Sequence, residues 1–437
     1  MWPVDKITHM FDAMSAESND EVDDYVSAQY LHLIQYSAMY TRLTRKHRLF
    51  TLLEIIIYEF ILIYHLIHLG KAALMLIDVS LVTFGETIHF CLLIQLDIIL
   101  IIFIQTKHNK IALFHRAMAK NFYDYSESYQ NNMEELQQDI RKERMLLAMI
   151  PITVVMAVPA VLVLTPQVDQ YGTFDFSKIS TEFNQQLPFP YIIYPYHTEE
   201  GIGYYTAALL QVVLATILGG SIGLGGFAYI VMSQNLWIQM EILYDSVNHI
   251  EERAEILRSD LFGAKNKLSG DKLYQQVQFE YCYNICLKKN FMHHQIIMRN
   301  FHLWADIFSV PTFLAYLTGT LVIALSLLSL GSWVELPGTT ISSLILCAGE
   351  VGFMYIFSVF SQRLTDLNEK LRFEIYCIKW YLCNKEVKTS LKIFQEVTLR
   401  PMTLIAGGLI PANMDTFSKV MNSSYSYYNL VTAFNVA

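Results

Sequence analysis

The stretch RLTRKHRLFTLLEIIIYEFILIYHLIHL, residues 42–69, sets the reading of the whole chain. Arg42, Arg45, Lys46 and Arg48 stand directly before the mostly apolar run Phe50–Leu69. A run of about 20 such residues crosses the hydrocarbon core of a bilayer as a helix. Basic flanks are held on the cytosolic side. Six further runs follow, at Leu81–Gln105, Met145–Thr165, Tyr204–Met232, Leu303–Leu330, Ile341–Phe360 and Met414–Phe434. Of the 31 Lys and Arg residues, 28 fall before the first run or in the loops joining runs two and three, four and five, and six and seven. The opposite side holds only Lys71 and Lys178, and Lys419 lies inside the last run. The chain is 16% charged, where a soluble domain carries roughly 25%. The expected fold class is therefore an all-α membrane protein with seven transmembrane helices in an inverted topology, N-terminus cytosolic and C-terminus extracellular. The first 24 residues are acidic and lack the basic and apolar regions of a cleavable signal peptide. The first span is expected to act as the insertion signal.

The inner segments Ile242–Phe301 and Gln362–Leu399 repeat apolar residues at three- and four-residue steps among charges. An amphipathic helix must bury its apolar stripe. These segments are expected to extend spans four to six as long cytosolic helices that pack into an anchor bundle. The organisation expected is a cytosolic segment 1–49, spans one to six with an outer ligand pocket over 50–360, cytosolic helices over 361–411, and a seventh span with a short extracellular end over 412–437. Pro401, Gly407, Gly408 and Pro411 break helices between the last two parts.

Chemistry is sparse. Gly223–Ala228 resembles a dinucleotide pattern but lies inside an apolar span rather than between a strand and a helix. Gly219 and Gly223, four apart, read better as a place where two membrane helices approach closely. No nucleophile–base pair or metal triad is present, so no enzyme, cofactor, metal or nucleic-acid partner is expected. Cys282 and Cys286, with His293 and His294 behind them, do not match a zinc spacing. All six cysteines are expected to be free thiols. Glu54, Glu59, Glu86, His89, Asp97, Asp306 and Glu350 sit in spans, where ionisable groups usually face protein or water. Glu54 and Asp97 are read as reaching the inner boundary. Glu86 and His89 either face a cavity or satisfy one another. The outer loop Pro166–Gly203 contains the Pro- and Tyr-rich run Pro188–His197. It either lids a pocket or anchors Tyr191, Tyr194 and Tyr196 at the headgroups.

The last run has the sharpest pattern. Asp415, Lys419, Asn422, Ser426, Asn429 and Ala433 recur at steps of four and three, opposite Phe417, Val420, Tyr428 and Val431. They form one polar or small face of a helix. Such a face cannot lie against acyl chains. It could line a pore only if several copies surround one axis.

The stretch RPMTLIAGGLIPANMDTFSKVMNSSYSYYNLVTAF, residues 400–434, closely resembles the C-terminal signature of insect odorant receptors. The matching features are Pro401, Ala406-Gly407, Pro411, Thr416-Phe417, Val420 and Ser424-Tyr425-Ser426-Tyr427-Tyr428. The resemblance implies a tuning subunit of a ligand-gated, non-selective cation channel, in a heterotetramer with the odorant receptor co-receptor. It places the chain in the dendritic plasma membrane of olfactory neurons, surrounded by membrane lipid. A small volatile odorant would bind in an outer pocket, for which His89, Phe90, Met156, Tyr205, Gln211, Tyr316 and Phe353 are the candidates. Asn422, Ser426, Leu430, Ala433 and Phe434 would line the pore, with Leu430 and Phe434 at its gate. A gustatory receptor would end with a Gln-Phe pair after Tyr427, which is absent here. A G-protein-coupled receptor would place its N-terminus outside. A transporter would carry paired repeats or broken helices in both halves.

Overall fold

The computed structural model describes residues 24–25, 27–33, 45–119, 123, 125, 131–174, 183–184, 186–189, 191–263 and 273–436. Most of segment 1–49 and part of the outer loop lie outside the described residues. The helices are α1 (Arg45–Leu76), α2 (Leu81–Thr106), α3 (His108–Ala119), α4 (Asn131–Leu147), α5 (Met149–Asp169), α6 (Gly201–Asn248), α7 (Ile250–Phe262), α8 (Val277–Leu328), α9 (Pro337–Cys377), α10 (Lys385–Thr398) and α11 (Met414–Val436). Two short strands, β1 (Ile405–Ala406) and β2 (Ile410–Pro411), pair antiparallel between α10 and α11.

Among the described residues, α1, α2, α5, α6, α8 and α9 are long and apolar enough to cross a membrane. The seventh expected span differs. Helix α11 has 23 residues, enough to cross at about 1.5 Å per residue. It is more polar than the other six because Asp415, Lys419, Asn422, Asn429 and four serines interrupt it.

Helices α6, α8 and α9 run for 48, 52 and 41 residues. At about 1.5 Å per residue they are roughly twice as long as a 30 Å hydrocarbon core needs. Their extensions pack together with α7 and α10, as the periodicity predicts. Helix α10 buries Val387, Leu391, Phe394 and Thr398, one face at helical spacing. Phe394 meets Phe291 and His294 edge-on, at ring distances of 4.8 and 5.2 Å. Asn384 caps the helix by accepting the Val387 N–H at 2.8 Å. His293 holds Tyr125 Oη at 2.8 Å and Gln239 Oε1 at 3.0 Å, and Cys282 and Cys286 are buried in the same core. All six cysteines are free.

Ion pairs join the basic segments at this end of the molecule. Asp306 accepts from Lys107 and Lys110 at 2.8 and 2.6 Å, Glu143 pairs with Arg363 at 2.7 Å, and Glu251 with Lys379 at 3.0 Å. These pairs are half-exposed, so they fix relative position more than they stabilise. The described part of the N-terminal segment is wedged here too. Tyr30 is buried with its Oη 2.9 Å from His115 Nε2. Burial pushes the His115 imidazole down to about 3, so it is neutral at pH 7.

The two glycines singled out for packing do bring helices together. A methyl group on Gly219 would stand 3.1 Å from the Val154 carbonyl oxygen, and one on Gly223 3.1 Å from Pro151 Cα. Both neighbours are backbone of α5. Gly220, one residue round the helix, has nothing within 4 Å of that position. Leucine at Gly219 or Gly223 should therefore overpack the α5–α6 contact and cost about 1–3 kcal/mol. Leucine at Gly220 should leave thermal unfolding in detergent close to that of the unaltered chain. Equal losses in all three variants would contradict the assignment.

Candidate functional site

The outer half of the bundle is closed by the loop between α5 and α6. Leu187, Phe189, Tyr191, Ile192 and Tyr194 are all buried, inserted among α1, α2 and α6. The loop is thus a plug, and Tyr191 and Tyr194 do not anchor it at the headgroups. Only Tyr196, at the rim, stays partly exposed. Tyr204 Oη donates to the Gln186 carbonyl at 3.2 Å at the start of the plug, and a side chain of α6 holds its middle. Gln211 on α6 accepts the Phe189 N–H at 2.8 Å and donates to the Phe189 carbonyl at 3.0 Å. A buried backbone unit that no strand or helix pairs is satisfied this way. Tyr194 Oη lies 3.4 Å from His65 Nε2 on α1.

Beneath the plug lie two of the sequence candidates. Phe90 packs edge-on against Phe189 at 4.6 Å, and His89 stacks on Phe90 at 5.6 Å. His89 Nδ1 is 3.4 Å from Ser326 Oγ on α8, while its Nε2 has no partner in hydrogen-bond range among the described residues. Glu86 accepts from Ser342 Oγ at 3.3 Å and also leaves one oxygen unmatched. Each therefore has its own partner on another helix, and they do not simply satisfy one another. Asp169 at the end of α5 accepts the Thr339 N–H and hydroxyl at 3.0 and 2.7 Å, which ties α5 to the start of α9.

Deeper, Tyr316 on α8 and Ser358 on α9 share a hydrogen bond of 2.6 Å. Phe353 lines a small cavity of about 60 Å³ among α2, α6, α8 and α9, with Leu96, Phe308, Pro311, Glu350 and Phe357. Ligand pockets usually hold about 300–1,000 Å³, so an occupant here requires the helices to part. Gly226 faces this ring so closely that a methyl would stand 2.5 Å from Phe353 Cε1. Glu350 and Phe357 sit one turn to either side of Phe353. Helical spacing alone could have added them to the candidates.

The seven candidates do not form one site. His89, Phe90 and Gln211 meet under the plug, and Tyr316 and Phe353 lie deeper. Met156 is 70% exposed and lines a separate groove between α1, α5 and α6. Tyr205 is 72% exposed at the outer end of α6, beside Tyr204. Asp97, read as reaching the inner boundary, is instead fully buried with both carboxylate oxygens unpartnered among the described residues. It faces Ser221 on α6 and Glu59 on α1, which cover it there. Glu54 accepts from Tyr58 Oη at 2.8 Å.

The break before the last helix folds as a hairpin. Gly407 and Gly408 take positive φ of 60° and 73°, a conformation open to glycine at little cost. The Gly407 N–H donates to the Ser309 carbonyl at 2.8 Å, and Ser309 Oγ donates to the Ile405 carbonyl at 2.6 Å. On α9, Ser361 Oγ accepts the Leu404 N–H at 3.0 Å, and Asn368 donates to the Thr398 and Arg400 carbonyls. Helix α11 then packs Phe417, Val420 and Met421 against the body, with Phe417 edge-on to Tyr355 at 5.7 Å. Asp415, Lys419, Asn422, Ser426, Asn429, Leu430 and Ala433 all stay exposed on the single chain. Phe434 belongs to α11, but its side chain lies outside the described residues.

A family model for the 7tm odorant receptors matches residues 80–425. The chain belongs to the odorant receptor family. It is a multi-pass membrane protein. Odorant receptor 33a of Drosophila melanogaster is 26% identical over 120 residues, a match covering 24% of this receptor and 32% of that one. The match thus spans about a third of that relative's length. The olfactory receptor OR5 of Machilis hrabei in complex with eugenol has the same fold, with a TM-score of 0.70 over 96% of this receptor and 100% of that chain at 11% identity. The OR5 structure described without eugenol gives 0.69, over 95% and 99%, at 10% identity.

Replacing Gln211 with leucine should loosen the plug without disturbing the helices around it. The buried Phe189 N–H and carbonyl would lose their partners, a cost of about 1–3 kcal/mol. Amide hydrogen exchange over residues 186–194 should rise while that of α8 and α9 stays slow. Unchanged exchange in the loop would show that Gln211 does not hold it.

Proposed function

We propose that this receptor is the odorant-binding tuning subunit of a heteromeric, ligand-gated, non-selective cation channel. Its partner is the odorant receptor co-receptor, and the complex resides in the dendritic plasma membrane of olfactory neurons. The N-terminus is cytosolic and the C-terminus extracellular, a reading that the distribution of Lys and Arg supports. One observation carries the reading. Helix α11 turns its apolar face to α8 and α9 and leaves an uninterrupted polar face uncovered at the edge of the subunit. Acyl chains cannot solvate a face that carries Asp415, Lys419, Asn422 and Asn429. Several subunits around one axis can, with water between them.

A small volatile molecule binds under the plug, where Phe90 and Phe189 supply apolar walls and the unpaired His89 Nε2 a polar anchor. It shifts the channel toward the open state by binding that state more tightly. Leu430 and Phe434, one turn apart, close the pore by excluding water, and Asn422 and Ser426 line the wider part below them.

The test is whole-cell current from cells expressing this receptor with and without an insect co-receptor, under a broad volatile panel and with G-protein signalling blocked. A fast cation current that needs both chains is expected. A response abolished by the G-protein block would overturn the channel reading. Leu430→Ser should raise the ligand-independent current several-fold at equal surface delivery, because a hydroxyl wets the constriction. His89→Phe should shift dose–response curves and leave that basal current unchanged.

A further inference from the structure

The groove beside α5 is unused by this mechanism. It holds about 460 Å³, within the range of small-molecule sites, and opens toward the lipid-facing surface at the exposed Ile152 and Met156. Its existence follows from the glycines of α6. Gly219 and Gly223 pull α5 in on one side, while Gly220 on the next face leaves a gap with nothing within 4 Å. Tyr58 closes it from α1 and Pro151 from the start of α5.

Among the described residues the lining bears no charged side chain, and its polar side chains are Tyr58, Thr216 and Ser221. All three have already spent their donors. Tyr58 Oη donates to Glu54 Oε1, Thr216 Oγ1 to the Val212 carbonyl and Ser221 Oγ to the Ile217 carbonyl, each at 2.8 Å. A hydroxyl oxygen keeps lone pairs after donating. The groove therefore offers apolar walls and hydrogen-bond acceptors but no free donor. A ketone, ester or ether would find nothing to accept from. An alcohol could donate.

We propose that this groove is a membrane-facing binding site for one uncharged, single-chain alcohol drawn from the bilayer, its hydroxyl donating to Thr216 or Ser221 and its chain lying over Gly220 and Met156. The site is separate from the space under the plug. Ser221 also lines the deep cavity beside Phe353, so an occupant touches the same turn of α6 that walls the bundle interior.

The experiment uses the full receptor in lipid nanodiscs and a ten-carbon primary alcohol carrying a diazirine near its far end. Peptides are read by mass spectrometry after irradiation, so the result is independent of any channel current. Labelling should concentrate on the peptides bearing Met156 and Thr216, and unlabelled decanol should compete at least ten-fold better than its methyl ether. Gly220→Phe should abolish that labelling while leaving labelled Phe60, on the open surface of α1, unchanged. Thr216→Val, which keeps the shape and removes one acceptor, should lower the preference for alcohol over ether even if Gly220→Phe proves unstable. Equal competition by alcohol and ether, or labelling spread evenly over the lipid-facing helices, means annular lipid contact only and overturns the proposal.

Discussion

A bilayer supplies no hydrogen-bond partner, and this constraint sorts every polar group in the spans. Most serines and threonines return their proton to a carbonyl one turn back, as Thr87 does to Thr83, Thr165 to Val161, Ser233 to Tyr229 and Thr318 to Leu314. They are silent in a helix and cost little. A second group is matched between elements: Asp169 with Thr339 and Ser342 with Glu86 between helices, and Gln211 with the outer loop at Phe189. These bonds determine which helices meet at the outer end. A third group is left over. His89 Nε2, one oxygen of Glu86 and both oxygens of Glu59 and Asp97 are buried without a partner among the described residues, and the polar face of α11 is exposed. Function is to be sought in that remainder, because an unmatched buried polar group costs free energy that selection for stability alone would remove.

The fold was largely legible because its two signals are strong and separate. Apolar run length reports spans, and helical spacing in the charged inner segments reports their extensions. Val387, Leu391 and Phe394 are buried because their spacing keeps them on one face of α10. Helix α11 marks where hydropathy fails. Its length and register were readable, but its polar face makes it resemble a surface helix, and only the pattern of the stripe tells otherwise. The site was less legible for a geometric reason. Depth along a span can be counted from its ends, but rotation about the span axis cannot, unless polarity marks one face. Helix α2 is apolar nearly all round, so depth along the span singles out His89 and Phe90 without fixing that they face inward. Met156 and Tyr205 lie at comparable depth in their spans yet face outward. A lid was one of two readings open for the outer loop, but its anchor was not legible, since nothing local announces that Gln211 will bond the backbone of Phe189 22 residues away.

The linker before α11 ties these regions together. Its hairpin is held to α8 through Ser309 and to α9 through Ser361, Thr365 and Asn368. Those same two helices meet at Tyr316–Ser358, between the plug and the hairpin. A small slide of α8 against α9 would therefore be felt at both ends, at the aromatic layer under Phe189 and at the first turn of α11. Packed interiors yield by switching between discrete arrangements rather than by bending smoothly. The hairpin suits such a switch, because Gly407 and Gly408 already occupy a conformation that most residues resist, and a bulkier residue at Gly407 would strike Phe313. A rigid turn passes on the motion of its supports, where a flexible linker would absorb it. In the channel proposed above, the position of the glycines matters to gating for the same reason that Gly219 and Gly223 matter to packing: each lets backbone come close enough to be held.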